Sequence, residues 1–463
     1  MTESSNQGWI SRSPGQKAES VVHYPHALQS GWLPRSRESL QAFHRMILDA
    51  ERTEYAPSIA ELDRFIDTHE VIRYLVNNAC RENLNLVETY PTMASTGGVA
   101  IPRIKDKETL LHGFNTILKH PPFFVNNELV GLPFSAWVVG IDPTLSGVAL
   151  FGLPMFNRKM SAVLREWFEF LGTPPSAVGF TEEGKQWLSP QAKAQYQFDD
   201  WKKDQDKLPY WTSWNSFFTR LFKDPARQRP IADPDSNRTA IAANDGSLFR
   251  WASNIASRDV FWFKDMAFSL ADILSSPVKE QQDLIDKHDL VKIFTNGYIF
   301  QTYLNPYNFH RWWVPVNGEV LFDPFTIPGD FFNKLVIPDF GGATTASLPY
   351  LVQVNARGVI VIKTPDYGHV CCIPLGMSEV STVTFDEQMC AGAKVTKGME
   401  MGKFNYGGSS FVIIYENLPH KKLIFMDAEG NLSPENPVAA SSSAGTGGVV
   451  TNIGAKIGQW VDI

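Results

Sequence analysis

Apolar residues recur at three- and four-residue spacing through the first ~190 residues of the chain, the period of a helix face. Leu40, Phe43, Met46 and Ile47 mark one such face between Ser39 and Asn83. Ile66, Val71, Leu75 and Val76 form a looser second set. The stretch from Asn85 to Pro133 continues helix-like, broken by Gly97-Gly98 and Pro121-Pro122. Met160, Val163, Leu164, Trp167, Phe168 and Leu171 predict a strongly amphipathic helix over 154–172, stopped by Gly172 and Pro174. Ahead of these helices, residues 1–36 are polar and rich in Ser, Pro and His, which reads as a loose arm.

The texture changes after a polar linker, Ala192 to Lys207. One short helix is predicted from Ser213 to Leu221. Short β-branched and aromatic runs then alternate with Gly, Pro and Asn-Asp punctuation, the pattern of strands and turns. The predicted strands are Ala240–Ala243, Leu248–Trp251, Val291–Phe294, Tyr298–Tyr303, Val320–Phe322, Leu351–Val354, Val359–Lys363, Val370–Pro374, Val380–Phe385 and Phe411–Tyr415. The fold class is therefore α+β, a helical N-terminal domain followed by a β-rich domain. The expected division is an arm at 1–36, a helical domain at 37–191, a β-rich domain at 208–432 and a Ser/Gly-rich tail at 433–463. The glycines of that tail lack the strand before them and the Lys-Ser or Lys-Thr after them that a phosphate loop needs.

Composition narrows the function classes. With 43% hydrophobic and 20% charged residues the chain is globular, and a net charge of −7 counts against a nucleic-acid or anionic-membrane coat. No apolar run approaches the ~18 residues of a membrane span, and the N-terminus carries no apolar signal core, so a cytoplasmic protein is expected. Four cysteines cannot make a disulfide framework. Cys371 and Cys372 read as buried strand residues, and Cys80 and Cys390 stand alone. None has metal-ligand spacing with a histidine, so no metal is expected. Thirteen tryptophans leave material for an aromatic-lined pocket.

The sharpest chemical candidate is the run Lys403-Phe404-Asn405-Tyr406-Gly407-Gly408-Ser409-Ser410, leading into an apolar strand. Gly-Gly alone is a tight turn and occurs elsewhere at 97–98, 341–342 and 447–448. A serine directly after a glycine on a strained turn can do more. Its hydroxyl can attack the preceding carbonyl, because glycine offers no Cβ to hinder the approach and tolerates the strain. The resulting ester can eliminate, cut the chain and leave a pyruvoyl group.

This run resembles the processing site of phosphatidylserine decarboxylases and of the fungal aromatic amino-acid decarboxylases related to them. Further segments resemble that family in the same order. They are Ser213–Arg220 with Arg229-Pro230, Ala243-Asn244-Asp245-Gly246, and Phe263-Lys264 with Phe268-Ser269-Leu270 and Leu274. Tyr303–Gly318, containing His310-Arg311-Trp312-Trp313, Leu375-Gly376-Met377 and Lys397–Phe404 complete the set. The resemblance covers about residues 208–430, and the helical part resembles the extra domain of fungal members.

The resemblance implies a phosphatidylserine decarboxylase-like domain that cuts itself at Gly408–Ser409. Ser409 would become the pyruvoyl cofactor, which takes up an amino acid as a Schiff base and acts as an electron sink. Asp245 matches the acidic member of the processing triad. His310 matches the first histidine of a family pair, the candidate proton donor to the decarboxylated carbon. Where the family has its second histidine, the base for the serine, this chain has Trp313, whose indole nitrogen only donates. His310 or His369 are the candidates to stand in. Three readings follow. One is a pyruvoyl-dependent decarboxylase of a small amino acid, an aromatic one favoured, or a derived intermediate, in specialised metabolism. Another is an unprocessed relative that binds or transforms a pathway intermediate, with Trp312, Trp313 and His369 along its pocket. The last is a phosphatidylserine decarboxylase. A small-molecule substrate, cleaved chains that stay associated and homo-oligomerisation accompany the first reading.

Overall fold

A computed structural model of the chain describes residues 32–34, 36–89, 101–142, 144–181, 186–258, 269–329, 355–377, 379, 382–406, 410–427, 430–432 and 450–463. The front of the chain is helical, as its periodicity predicts, with helices at Arg37–Asp49, Pro57–Thr68, Glu70–Thr89, Lys107–Ile117 and Pro154–Leu171. The last of these buries Phe156, Met160, Val163, Leu164, Trp167 and Leu171 on one face and stops at Gly172. One part of the front departs from the helical expectation. Phe123–Val125 pairs with Glu128–Val130 in a β-hairpin. Its two turn residues, Asn126 and Asn127, have φ of 49° and 64°, the left-handed pair that a two-residue hairpin turn requires.

The polar 192–207 stretch is not a free linker. Tyr196, Phe198 and Trp201 from it are buried, and Trp201–Lys202 pairs with Leu221–Phe222. Its aromatic residues outweigh its charges, so the segment packs.

The back of the chain centres on a nine-stranded sheet. Edge to edge, eight strands run Lys394–Val395, Gly318–Val320, Arg357–Lys363, His369–Leu375, Ser410–Tyr415, Tyr298–Tyr303, Gly246–Ser253 and Val450–Thr451, and Phe325–Ile327 also pairs with Arg357–Lys363. Its central strands are largely apolar because both faces are covered. Ile360, Ile362, Cys372, Phe411 and Ile413 face the core shared with the helical front. The alternate residues Val359, Val361, Cys371, Ile373, Val412 and Ile414 face a second cluster beneath short helices. Two of those helices, Lys279–Lys287 and Leu290–Phe294, belong to that cover. The predicted strand Val291–Phe294 is thus helical, and Leu351–Val354 lies outside the described residues.

The C-terminus also departs from expectation. Val450–Thr451 joins the edge of the large sheet, and Lys456–Asp462 is the middle strand between Lys421–Phe425 and Thr239–Ile241. Residues 450–463 are therefore structural and not a loose tail. The arm too is anchored where it is described, since Trp32 and Leu33 are buried.

Candidate active site

The strand Ser410–Tyr415 begins one residue after the predicted cut site. Ser410 pairs with Tyr303 on one side and Leu375 on the other. Its hydroxyl donates to the Thr302 carbonyl at 2.8 Å and accepts from the Gln301 amide at 3.0 Å. Gly408 and Ser409 themselves lie outside the described residues. Tyr303 also pairs with Ser247, which brings the Ala243–Gly246 turn beside Ser410. The Thr302 hydroxyl donates to the Asn244 side-chain oxygen at 2.9 Å. A Cβ on Gly246 would lie 2.7 Å from the Tyr303 carbonyl, so the close approach needs glycine there.

Asp245 sits in this turn, 3% exposed. Its carboxylate accepts from Arg229 at both oxygens, Nε to Oδ1 at 2.8 Å and Nη2 to Oδ2 at 2.7 Å. The Ile453 backbone N–H adds a third bond at 2.8 Å. The Arg229 guanidinium lies 4.6 Å from the Phe222 ring centre. This charge is thus paired, hydrogen-bonded and held from two other parts of the chain.

His310 precedes the Arg311–Trp313 strand and is 1% exposed. Its ring stacks on Phe218 at 4.0 Å and meets the edge of Trp32 at 5.9 Å. Neither ring nitrogen has a hydrogen-bond partner among the described residues. Burial holds its pKa well below the usual imidazole value, and the nearby Arg220 guanidinium adds to this. The Asn308 carbonyl, near but outside hydrogen-bond geometry, opposes them. Arg220 braces the turn before His310 by donating to the carbonyls of Tyr307 at 2.8 Å and Asn308 at 3.2 Å. At neutral pH His310 is therefore an uncharged imidazole that can accept a proton at one nitrogen and give one up from the other.

The two tryptophans after it diverge because the strand alternates. Trp312 points inward. It is fully buried among Phe385, Phe404 and Phe411. A Cβ at Gly402 would come within 2.3 Å of its ring. Trp312 is a core residue and not a pocket wall. Trp313 is half-buried against Phe309, and its backbone N–H donates to the Ala243 carbonyl at 2.8 Å. It stands beside the Asp245 turn.

His369 does not join the group. It lies at the far end of its strand, six residues from Leu375, the partner of Ser410, or roughly 20 Å at ~3.3 Å per residue. There its Nδ1 meets the Glu416 carboxylate at 2.7 Å. The site thus assembles Asp245, His310 and Trp313 beside the residues that flank 407–409 and leaves out Trp312 and His369.

Several residues that pattern reasoning passed over complete it. Trp32 walls His310 and donates from its indole N–H to the Leu304 carbonyl at 3.1 Å. Tyr406 is buried against Trp32, Trp167, Trp214 and Phe218, and its hydroxyl donates to the Gly131 carbonyl. The Glu379 carboxylate accepts from the backbone N–H groups of Phe134 and Ser135 at 2.9 and 2.6 Å. Arg229 is recognisable in the Arg-Pro pair. Isolated aromatic residues whose partners lie 272 or 275 positions away carry no local signal. No group of three or more candidate metal ligands occurs among the described residues.

The family profile described as phosphatidylserine decarboxylase matches residues 214–445, and a second profile of the same description matches residues 56–196. The decarboxylase iboD of Amanita muscaria is 32% identical over 310 residues, covering 62% of this chain and 84% of that protein. An L-tryptophan decarboxylase of Psilocybe cyanescens is 28% identical over 325 residues, covering 65% of this chain and 70% of its own. A phosphatidylserine decarboxylase proenzyme of Oryza sativa subsp. japonica is 29% identical over 257 residues, 54% of this chain and 37% of that one. The chain belongs to the phosphatidylserine decarboxylase family and is a carboxy-lyase.

Proposed function

We propose that this carboxy-lyase cuts itself between Gly408 and Ser409 and decarboxylates a small amino acid, an aromatic one favoured, with the pyruvoyl group left on residue 409. The observation that carries the reading is His310. It is a buried, neutral imidazole whose two nitrogens have no hydrogen-bond partner among the described residues, stacked on Phe218, whose ring also packs on Tyr406 just ahead of the proposed cut. Unpartnered buried nitrogens cost stability, so they fit a site whose remaining partner is substrate or reacting backbone. The relatives named as L-tryptophan decarboxylases support an aromatic amine product.

In the cut, the Ser409 hydroxyl oxygen bonds to the Gly408 carbonyl carbon and the Gly408–Ser409 C–N bond breaks. The hydroxyl proton ends on the freed amine. Loss of the Ser409 Cα proton then expels the Gly408 carboxylate, and water releases ammonia to leave the ketone. The pyruvoyl ketone supplies an electron sink for the carbanion that loss of CO2 creates. The chain's own residues do the rest. His310 accepts and returns a proton, Trp32 and Phe218 keep water from it, and Arg220 holds its turn. Residues 37–191 and 208–432 serve as one unit around this site.

A second reading, an uncut relative acting by other chemistry, is favoured by one observation. Trp313 occupies the place of the processing base, and Asp245 is already satisfied by Arg229. Intact mass of the purified chain decides between them. Cleavage gives pieces of 408 and 55 residues, and borohydride with L-tryptophan traps the smaller one as an adduct. A single uncut species that stays unmodified rules the first reading out. The same assay with phosphatidylserine in vesicles tests the lipid alternative.

A further inference from the structure

Tyr406 stands two residues before the proposed cut, on the last described turn ahead of it. Its backbone φ is +31°, a left-handed value that a bulky side chain adopts only when its surroundings compel it. Those surroundings come mostly from the other half of the molecule. The phenol donates to the Gly131 carbonyl, just after the front hairpin, and the ring sits 5.3 Å from Trp167 and 6.2 Å from Trp32. Trp214 and Phe218 close the remaining sides at 5.7 and 4.9 Å. The Gly131 N–H donates to the Trp32 carbonyl at 2.7 Å, so the two front-half contacts brace each other. Glu379 pins the neighbouring Phe134 and Ser135 amides from the back half. Burial, with Glu379 nearby, keeps the phenol protonated and so a donor. On the other side of the cut, Ser410 is fastened to Thr302 and Gln301.

We propose that Tyr406 is a positioning residue for self-cleavage. Through it the helical half of the chain sets the backbone that Ser409 must attack. The inference rests on cleavage at Gly408–Ser409 and assigns what holds that bond in place. An acyl shift needs the hydroxyl and carbonyl in near-attack geometry, and a misplacement of ~1 Å costs on the order of 100-fold. The described residues on both sides of the cut, Tyr406 and Ser410, are each hydrogen-bonded to backbone elsewhere in the fold. The phenol tether supplies the end that glycines cannot.

The test is a cleavage time course of the full chain, followed by intact mass with and without hydroxylamine. Hydroxylamine attacks the ester carbonyl, leaves a hydroxamate on Gly408 and returns the hydroxyl to Ser409, so it reads the acyl shift separately from the elimination. Tyr406→Phe keeps the ring in its box and removes only the tether. It is expected to slow cleavage roughly 10- to 100-fold, with hydroxylamine unable to restore the rate and the melting temperature within a few degrees of wild type. Glu379→Gln, which weakens the same corner and leaves the Tyr406 side chain itself unchanged, is expected to slow it severalfold. A wild-type chain that stays whole overturns both the cleavage reading and this inference. A wild-type chain that cuts, with Tyr406→Phe cutting at the same rate, overturns this inference alone. Restoration of the Tyr406→Phe rate by hydroxylamine also overturns it, because the ester would then be forming normally.

Discussion

Two buried ionisable groups of the candidate site, Asp245 and His310, are treated in opposite ways. Asp245, 3% exposed, has a bidentate guanidinium partner and a backbone N–H on its carboxylate. His310, 1% exposed, has aromatic rings around it and no hydrogen-bond partner among the described residues. Equal burial thus gives a saturated charge in one corner and an uncommitted neutral base in the other. Burial alone does not mark a group as reactive. What remains for the group to bond does.

The sharpest way to break the contrast is His310→Phe. A phenyl ring preserves the stack on Phe218 and removes both nitrogens. Self-cleavage and CO2 release are expected to fall ~10²–10⁴-fold, the range for loss of a general acid–base group. Thermal stability should hold or rise, because two unsatisfied polar atoms leave the core. A variant that keeps its rate, or that loses activity only by unfolding, would place His310 among ordinary core residues.

Arg229→Ala probes the other corner and should do the reverse, costing stability first. It strands a buried carboxylate with one amide partner, a change worth about 3–5 kcal/mol in buried pairs. The low end is expected, since the Arg229 side chain is 20% exposed. Chemical denaturation measures it, and adding Asp245→Asn should recover part of the loss by removing the stranded charge. If the double variant is no better than Arg229→Ala, the pair is not the unit described here.

The same contrast explains what was legible in the sequence. Ala-Asn-Asp-Gly and His-Arg-Trp-Trp are local strings, and they suffice to single out Asp245 and His310 as candidates. Their environments are not local. Ile453 comes from a segment whose Ser/Gly-rich approach reads as tail, and Trp32 from a segment that reads as loose arm. Both are tied by contacts more than 200 residues apart, which periodicity cannot register. The central strands are readable because both their faces are buried and their runs are largely apolar. The same rule misreads Val291–Phe294, since a short apolar run fits one turn of buried helix equally well. The front hairpin left a signal in Asn126-Asn127, which the surrounding helical periodicity outweighed.

The smallest effect concerns how far the state of His310 is general. His44, in the helical half, is also buried, and its ring N–H donates to the Ala136 carbonyl at 2.9 Å. Burial lowers its pKa to about 4, with the carbonyl pulling weakly upward. In the unfolded chain both histidines titrate near 6.5. Above that pH neither state binds the proton and no stability is lost. As pH falls below 6.5 the unfolded chain takes up protons that the folded chain refuses, so stability drops until the folded value is reached. For His44 alone the loss by pH 5 is about 2 kcal/mol, at ~1.4 kcal/mol per unit over the interval. His310 adds to it in the same direction. Melting temperatures of wild type, His44→Gln and His310→Phe between pH 7.5 and 5 separate the two contributions. Each variant should flatten the acid slope, and only His310→Phe should abolish turnover at pH 7.5. A His44→Gln variant that loses activity as well would mean that an unpartnered nitrogen is not what distinguishes the working histidine from the structural one.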